Sequence, residues 1–364
     1  MKLLIFVPEK FNEVGGFKLP LSKYLPFLSK LYDTIIFEVP YSLKRKRCIK
    51  NVMKQVYDLN LENEEIIILS FTLNVTINVE RIIKTISKRN IIIKKISFLF
   101  DSLYFFFKST TEFNRKNNIK YRKKVLDVLK GFEYYRKEKY ILKNWDDVIL
   151  ASPADIDFIR KNYKQINSTI HLIPNGIDIK SEKMFKTKNI DKENIKIGYI
   201  GMIKNNFDWF LDNWWPEIIK KNNKLKLIIA GKDSTKGISS SYIKKQKNVE
   251  FIGKVDDLNN FYKKCDLVIV AIRKNCGILN KVLEAFSYKV PVIGLKNNFL
   301  AFPGAYDMEH YVSFESVDDF LCKLKYILDE NNYYRIAENA FKYILKNHNW
   351  KDSLDKLYAV INYD

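Results

Sequence analysis

One short stretch holds the residue types that could handle an anionic leaving group. It runs Gly277-Ile-Leu-Asn-Lys281-Val-Leu-Glu284-Ala285, and Pro291-Val-Ile293 follows. Gly277 opens a turn, and Val282, Ala285 and Phe286 repeat at helical spacing. An apolar strand, Leu267 to Ala271, precedes the turn, and another, Val290 to Ile293, follows the helix. In open parallel sheets, ligands bind at the carboxyl ends of strands, where such loops lie. The first helical turn, at Gly277 and Ile278, would offer backbone N–H groups and the positive end of the helix dipole, which suits a diphosphate. Lys281 adds a full charge. Glu284, one turn on, could accept hydrogen bonds from sugar hydroxyls. A plainer reading fits the same letters: a buried helix with a solvated Lys–Glu pair. These residues alone leave both open.

Other residues could serve the same chemistry. Leu3 to Val7 reads as a buried strand, and the loop after it carries Gly15-Gly16, which would let backbone come close to a ligand. Ile92 to Phe100 is a strand that ends at Asp101, where a carboxylate could orient or deprotonate an acceptor hydroxyl. Asp101 could equally cap the helix that starts at Leu103. Gly201 closes the strand Ile195 to Ile200, with Lys204 just beyond it, and Arg273 lies between Leu267–Ala271 and Gly277. Asp155-Ile-Asp157 is a DxD string inside a helix pattern and reads as solvated surface.

The elements needed to position these groups alternate strand and helix, the pattern of a doubly wound α/β sheet. The first half gives strands at Leu3–Val7, Thr34–Val39, Glu65–Leu69, Ile92–Phe100, Val148–Ala151 and Thr169–Ile173. Helices fall at Leu21–Leu31, from Lys44 to Tyr57, across Leu103–Asn144 and after Ser152-Pro153. A polar, Lys-rich stretch then interrupts the pattern, and the alternation restarts with Ile195–Ile200, a helix Phe207–Lys221, Leu225–Ala230 and Val249–Gly253. Helices at Ser316–Leu328, Asn332–Leu345 and Lys351–Asn362 close the chain. With 364 residues, 47% of them hydrophobic, there is material for two cores. The expected division is a domain over 1–180, a linker over 181–194, a second domain over 195–345 and a closing helix over 346–364.

Many of these letters, in this order, resemble retaining glycosyltransferase family 4, the group 1 glycosyl transferases. The Gly277–Ala285 segment with Pro291-Val-Ile293 looks like that family's donor-site helix. Pro174-Asn-Gly-Ile-Asp178 is similar to its PNG(V/I)D string, and Gly198-Tyr-Ile-Gly201 through Trp215-Pro216 to its second-domain opening. The resemblance implies a GT-B fold, two Rossmann-like domains facing a cleft with the last helix crossing back onto the first. It implies transfer of a sugar from a nucleotide-diphosphate sugar, a UDP-sugar, with retention and without a metal or other cofactor. Lys281, Lys204 and Arg273, with the backbone at Gly277 and Ile278, would take the diphosphate. Glu284 would hold the ribose, and Gly201 and the Gly15-Gly16 loop would admit the donor. Asp101 would face the acceptor. The family carries two glutamates eight positions apart on this segment. Glu284 falls on the second, and Cys276 stands where the first would be. That departure touches sugar-side chemistry and keeps a non-catalytic GT-B partner subunit as an alternative.

Charge suggests the partner. Lys and Arg number 63 against 42 Asp and Glu, a net charge of +21. Residues 1–180 hold 33 basic and 19 acidic residues, +14 of that total. Such an excess suits an anionic partner, and Lys44–Arg47 and Arg115–Lys124 are its densest runs. The aromatic and basic segment from Leu103 to Asn144 fits a lipid interface, single-stranded nucleic acid or a helix pair whose aromatics are core. Most of these aromatics are expected in the core and part of the basic surface on an anionic membrane, with a lipid-linked or saccharide acceptor. A nucleic-acid-directed enzyme or binder is the other alternative. Cys48, Cys265, Cys276 and Cys322 form no CxxC pair, which argues for a reducing compartment and against a zinc site. No signal peptide or membrane span is legible. The expected place is the cytoplasm, peripheral at the inner face of the membrane.

Overall fold

The structure is a computed structural model that describes residues 2–11, 15–42, 45–59, 61, 65–86, 92–117, 121–179, 190–203, 207–231, 246–273 and 275–362. Lys204, Lys44 and most of the polar stretch 181–194 lie outside the described residues. The chain divides into two units. The first comprises Met1–Gly176, Cys276–Ile278 and Trp350–Asp364, and the second Ile177–Asn275 and Leu279–Asn349.

The first unit runs β1 (Lys2–Pro8), α1 (Gly15–Leu31), β2 (Asp33–Val39), α2 (Lys46–Tyr57), β3 (Glu65–Phe71), α3 (Leu73–Ile86), β4 (Ile92–Phe100), α4 (Leu103–Lys116), α5 (Tyr121–Asn144), β5 (Asp147–Leu150), α6 (Pro153–Asn162) and β6 (Thr169–Leu172). Its six strands are parallel, in the order β2-β1-β3-β4-β5-β6. Successive residues of β1 point to opposite faces. Leu3, Ile5 and Val7 pack with Tyr24 and Leu28 of α1 and with Trp350, Leu357 and Ile361. Leu4 and Phe6 pack with Val52 of α2, Val79 of α3 and Ile141 of α5. Both faces are therefore covered, as the continuous apolar strands require.

The second unit runs β7 (Ile195–Ile200), α7 (Asp208–Asn213), α8 (Trp215–Lys221), β8 (Leu225–Ala230), β9 (Val249–Gly253), α9 (Leu258–Lys264), β10 (Leu267–Val270), α10 (Asn280–Ser287), β11 (Val292–Leu295), β12 (Val312–Phe314), α11 (Val317–Ile327) and α12 (Glu330–Asn347). Its strand order is β12-β11-β10-β7-β8-β9, again parallel. The last helix, α13 (Trp350–Asn362), belongs to the first unit.

Several boundaries differ from the sequence reading for physical reasons. α1 starts at Gly15 and tolerates Pro20 and Pro26 inside it, so Gly15-Gly16 open a helix instead of sitting in a free loop. The expected helix Phe207–Lys221 is two helices, because Pro216 falls in the first turn of the second and cannot continue the first. The expected segment Leu103–Asn144 holds two helices, α4 and α5, packed on each other. α3, whose Val75, Val79, Ile82 and Ile83 are buried, carries an apolar stripe that the sequence reading passed over.

Gly176 of the Pro-Asn-Gly string has a packing reason. A Cβ there would stand 2.6 Å from the backbone nitrogen of Trp350, where α13 rejoins the unit. Ser353 of α13 donates to the carbonyl of Pro174 at 2.7 Å. The string is therefore a seat for the last helix.

Candidate functional site

In the second unit the strand order reverses at β10 and β7, the switch point where open α/β sheets bind ligands. Gly201 follows β7, and the turn carrying Arg273 follows β10, so the sheet itself brings the two segments side by side. Gly201 adopts φ +132°, a conformation L side chains rarely take, and donates its N–H to the carbonyl of Ala230. Its missing side chain leaves room for a cation. A Cβ at Gly201 would stand 2.8 Å from Nζ of Lys281. That ammonium also lies 4.1 Å from the ring centroid of Tyr199, on β7. Burial first, and the charge of Asp208 second, push the Tyr199 phenol up, so it stays neutral and donates to the carbonyl of Met202 at 2.8 Å. Lys281 is thus placed by an aromatic face below and a glycine beside it.

Lys281 lies in the first turn of α10, which begins at Asn280 with Leu279 as its N-cap. Gly277 and Ile278 precede the helix by at least one residue. The expected diphosphate contact at their N–H groups is corrected for Gly277, whose N–H donates to Asp155 Oδ2 at 2.7 Å. Glu284, a turn beyond Lys281, is half-buried and accepts from the hydroxyl of Tyr262 at 3.0 Å. Burial pushes its carboxyl up to about 7, opposed by the Tyr262 bond and the Lys281 charge.

Arg273 departs from the sequence reading. It is 3% exposed, and its Nη2 donates to Asp208 Oδ1, at the start of α7, at 2.7 Å. As folded, this cation faces a carboxylate inside the unit instead of offering itself to a diphosphate. The pair joins the β10 turn to the segment after β7, the two sides of the switch point.

The first unit gathers its own polar cluster at the end of β4. Phe100 has φ +65°, unusual for a bulky residue, and the chain passes directly to Asp101. The helix cap is Ser102, whose Oγ accepts from the N–H of Phe105 at 3.1 Å. The capping reading of Asp101 is therefore wrong by one residue. Asp101 Oδ2 lies 3.9 Å from Sγ of Cys276, which is buried. Asp155, read as solvated, is fully buried; it accepts from the N–H groups of Ser102 and Gly277, each at 2.7 Å. Asp157 is exposed, as expected. Glu138, on α5, is also fully buried and takes three donors: Ser102 Oγ, the N–H of Tyr104 and the hydroxyl of Tyr163. Burial raises its carboxyl to about 7 even against those donors. Sequence reasoning missed Glu138, Tyr199, Tyr262 and Asp208; each earns its place through a partner distant in sequence. Gly15 and Gly16 open α1 directly after β1, at the β1–β3 switch point of this unit. Among the described residues no group of three or more His, Cys, Asp and Glu is placed to hold a metal ion.

Residues 194–328 match the family model of the glycosyl transferases group 1. The match lies almost wholly in the second unit, and the two parallel six-stranded sheets with their helices have the GT-B fold. Solved structures extend the likeness of fold along the chain. One is HepE from Anabaena in complex with UDP and glucose, at TM-score 0.67 and 14% identity, covering 99% of each chain. The lipopolysaccharide outer core galactosyltransferase WaaB superposes at 0.63 with 12% identity and 99% of each chain. TarM superposes at 0.61 with 17% identity over 84% of this chain, which spans 57% of the length of TarM. No curated protein matches the sequence significantly.

Proposed function

We propose that the chain transfers a sugar from a UDP-sugar to a lipid-linked saccharide of bacterial surface polysaccharide synthesis, with retention and without a metal. The observation that carries this reading is Lys281, held against Gly201 and the Tyr199 ring at the β10–β7 switch point. The bond from the anomeric carbon to the diphosphate oxygen breaks, and its electron pair leaves with the diphosphate. An acceptor hydroxyl oxygen forms the new bond and gives up its proton. A fixed cation beside the leaving oxygen stabilises the charge as it develops. Glu284 would take the ribose hydroxyls, and Asp101, in the first unit, would orient the acceptor hydroxyl. HepE, solved with UDP and glucose, and WaaB, a lipopolysaccharide galactosyltransferase, support the donor and acceptor classes. The net charge of +21 supports a peripheral place at the anionic cytoplasmic face.

The test is mass spectrometry of the purified protein with a panel of nucleotide sugars and a lipid-linked saccharide acceptor. Transfer or slow hydrolysis of one UDP-sugar is the expected result. Cys276, where the family has a sugar-facing glutamate, favours a second reading as a non-catalytic subunit. Nucleotide binding with no turnover of any donor would establish that reading instead.

A pH dependence follows from Glu284. Ribose hydroxyls donate to a carboxylate, so nucleotide binding favours its ionised form. With the free carboxyl at about 7, UDP affinity should rise about tenfold between pH 6 and pH 8, and Glu284→Gln should flatten the profile in titration calorimetry. The stability term has its own sign. A folded value raised above the ordinary 4.5 gives stability that is full below about 4.5 and lost as pH rises through about 7. An affinity that is flat with pH in the wild type would remove Glu284 from the ribose.

A further inference from the structure

We infer that the outer face of α5 is a membrane-docking surface that inserts apolar side chains into an anionic bilayer. This rests on the membrane part of the proposed function and changes its physical basis. The basic runs alone, Lys44–Arg47 and Arg115–Lys124, predict a peripheral and mostly electrostatic attachment. The described part of the first run gives it less: Arg45 is paired with Glu9 at 2.5 Å.

α5 exposes what a soluble helix buries. Val125, Leu126, Val128, Leu129 and Phe132 are between 40% and 63% exposed. At 100° per residue these five positions fall on one face. The opposite face holds Glu138, Ile141 and Leu142, which are buried in the unit. The helix therefore has two apolar faces, one in the core and one outside. The outer face turns basic along its length, through Arg136, Lys139 and Lys143, and the sequence just before Val125 is Arg122-Lys123-Lys124. Beside the stripe lies a groove of about 410 Å³ between α3 and α5. Ile77, Leu129 and Phe132 form its apolar part, with Arg136, Lys137 and Tyr140 at its side. Three carboxylates are near, and each has a partner: Glu133 takes Lys137 at 2.6 Å, Asp127 accepts from Asn114 of α4 at 2.9 Å, and Glu80 of α3 accepts from the Tyr140 hydroxyl at 2.9 Å.

Charge complementarity selects the occupant. A second copy laid along this face with the same polarity would set Arg136, Lys139 and Lys143 against their equivalents, cation on cation. Single-stranded nucleic acid needs aromatic faces to stack on, and four of the five exposed residues are aliphatic. An anionic bilayer meets both parts of the pattern, with acyl chains against the stripe and headgroup phosphates against the cations.

The experiment is co-sedimentation of the full chain with vesicles of phosphatidylglycerol and phosphatidylcholine, and with phosphatidylcholine alone. The wild type should bind the anionic vesicles and hold on partly in high salt. Leu129→Asp with Phe132→Asp should weaken binding at least tenfold, since both side chains lose their apolar anchoring. Phe132→Trp should show a blue-shifted emission with anionic vesicles only. Both positions are exposed, and circular dichroism of each variant checks the fold. Binding unchanged in the double variant, or absent in the wild type, overturns the inference. So does a wild-type dimer in light scattering that the double variant dissolves, because the stripe then belongs to a second copy. Turnover of a nucleotide sugar on a soluble acceptor, measured on the same preparations, separates the two proposals. Turnover without vesicle binding defeats the docking surface alone, and vesicle binding without turnover defeats the proposed function alone.

Discussion

Lys281→Ala is expected to lower turnover of the preferred donor by ~100-fold or more while the protein stays folded. Losing one preorganised electrostatic group from a site of developing charge costs on the order of 10²–10³ in rate. Lys281 is preorganised in the required sense, because its Nζ is already set against Gly201 and 4.1 Å from the Tyr199 ring centroid. No side-chain search is needed at the moment of reaction. The substitution also removes a cation–π contact worth about 0.5–2 kcal/mol, so a modest loss of stability should accompany it. Lys281→Met keeps the aliphatic packing on Tyr199 and separates the two effects. It should be as slow as Lys281→Ala and nearly as stable as the wild type. The affinity for UDP should fall less than turnover does, because the charge on the leaving oxygen is greatest in the transition state. A folded Lys281→Met enzyme with wild-type turnover would take Lys281 out of the mechanism.

Gly201→Ala approaches the same contact from the other side. Its Cβ would occupy the space beside Nζ of Lys281, and its backbone would be held at φ +132°. This pairing was half legible in the sequence. Gly201 and Lys281 each stand at the end of a strand or the start of a helix, and an open parallel sheet puts such ends on one rim. That they touch depends on the strand order, which places β7 beside β10 although β8 and β9 come between them in sequence. Strand order is a tertiary fact with no local letter pattern.

The same distinction separates the elements from the polar clusters. Apolar periodicity located most elements, because burial on both faces of a parallel sheet demands it. It could not tell a charged residue on a surface from one inside a polar cluster. Asp155 sits in a helical pattern with exposed Asp157 two residues on, and nothing local marks it as the acceptor for two backbone N–H groups. Arg273 reads as a free cation in AIRKNCG until Asp208, 65 residues earlier, is found beside it. α5 misleads in the opposite way. Its aromatics Tyr134 and Tyr135 are packed against the core, as expected, while Leu126, Leu129 and Phe132 are exposed. Composition gave the right ingredients there, but only the direction of each side chain says which face they cover.

Arg273→Met should destabilise the second unit by about 3 kcal/mol, the low end for removing one partner of a buried ion pair. The low end applies because the Asp208 side chain keeps 20% of its exposure and can be partly hydrated once alone. Trp209, Trp214 and Trp215 all lie in this unit, so the denaturation transition followed by tryptophan fluorescence reports mainly on it. The midpoint should move to lower denaturant with an unchanged slope. Arg273→Met combined with Asp208→Leu should recover most of the loss, because no charge is then left without its partner. That double variant also decides what the arginine is for. If Arg273 only ties the β10 turn to the start of α7, UDP affinity should return together with stability. If stability returns while UDP affinity stays at least tenfold down, the guanidinium reaches the diphosphate in the bound state and the purely structural role is wrong.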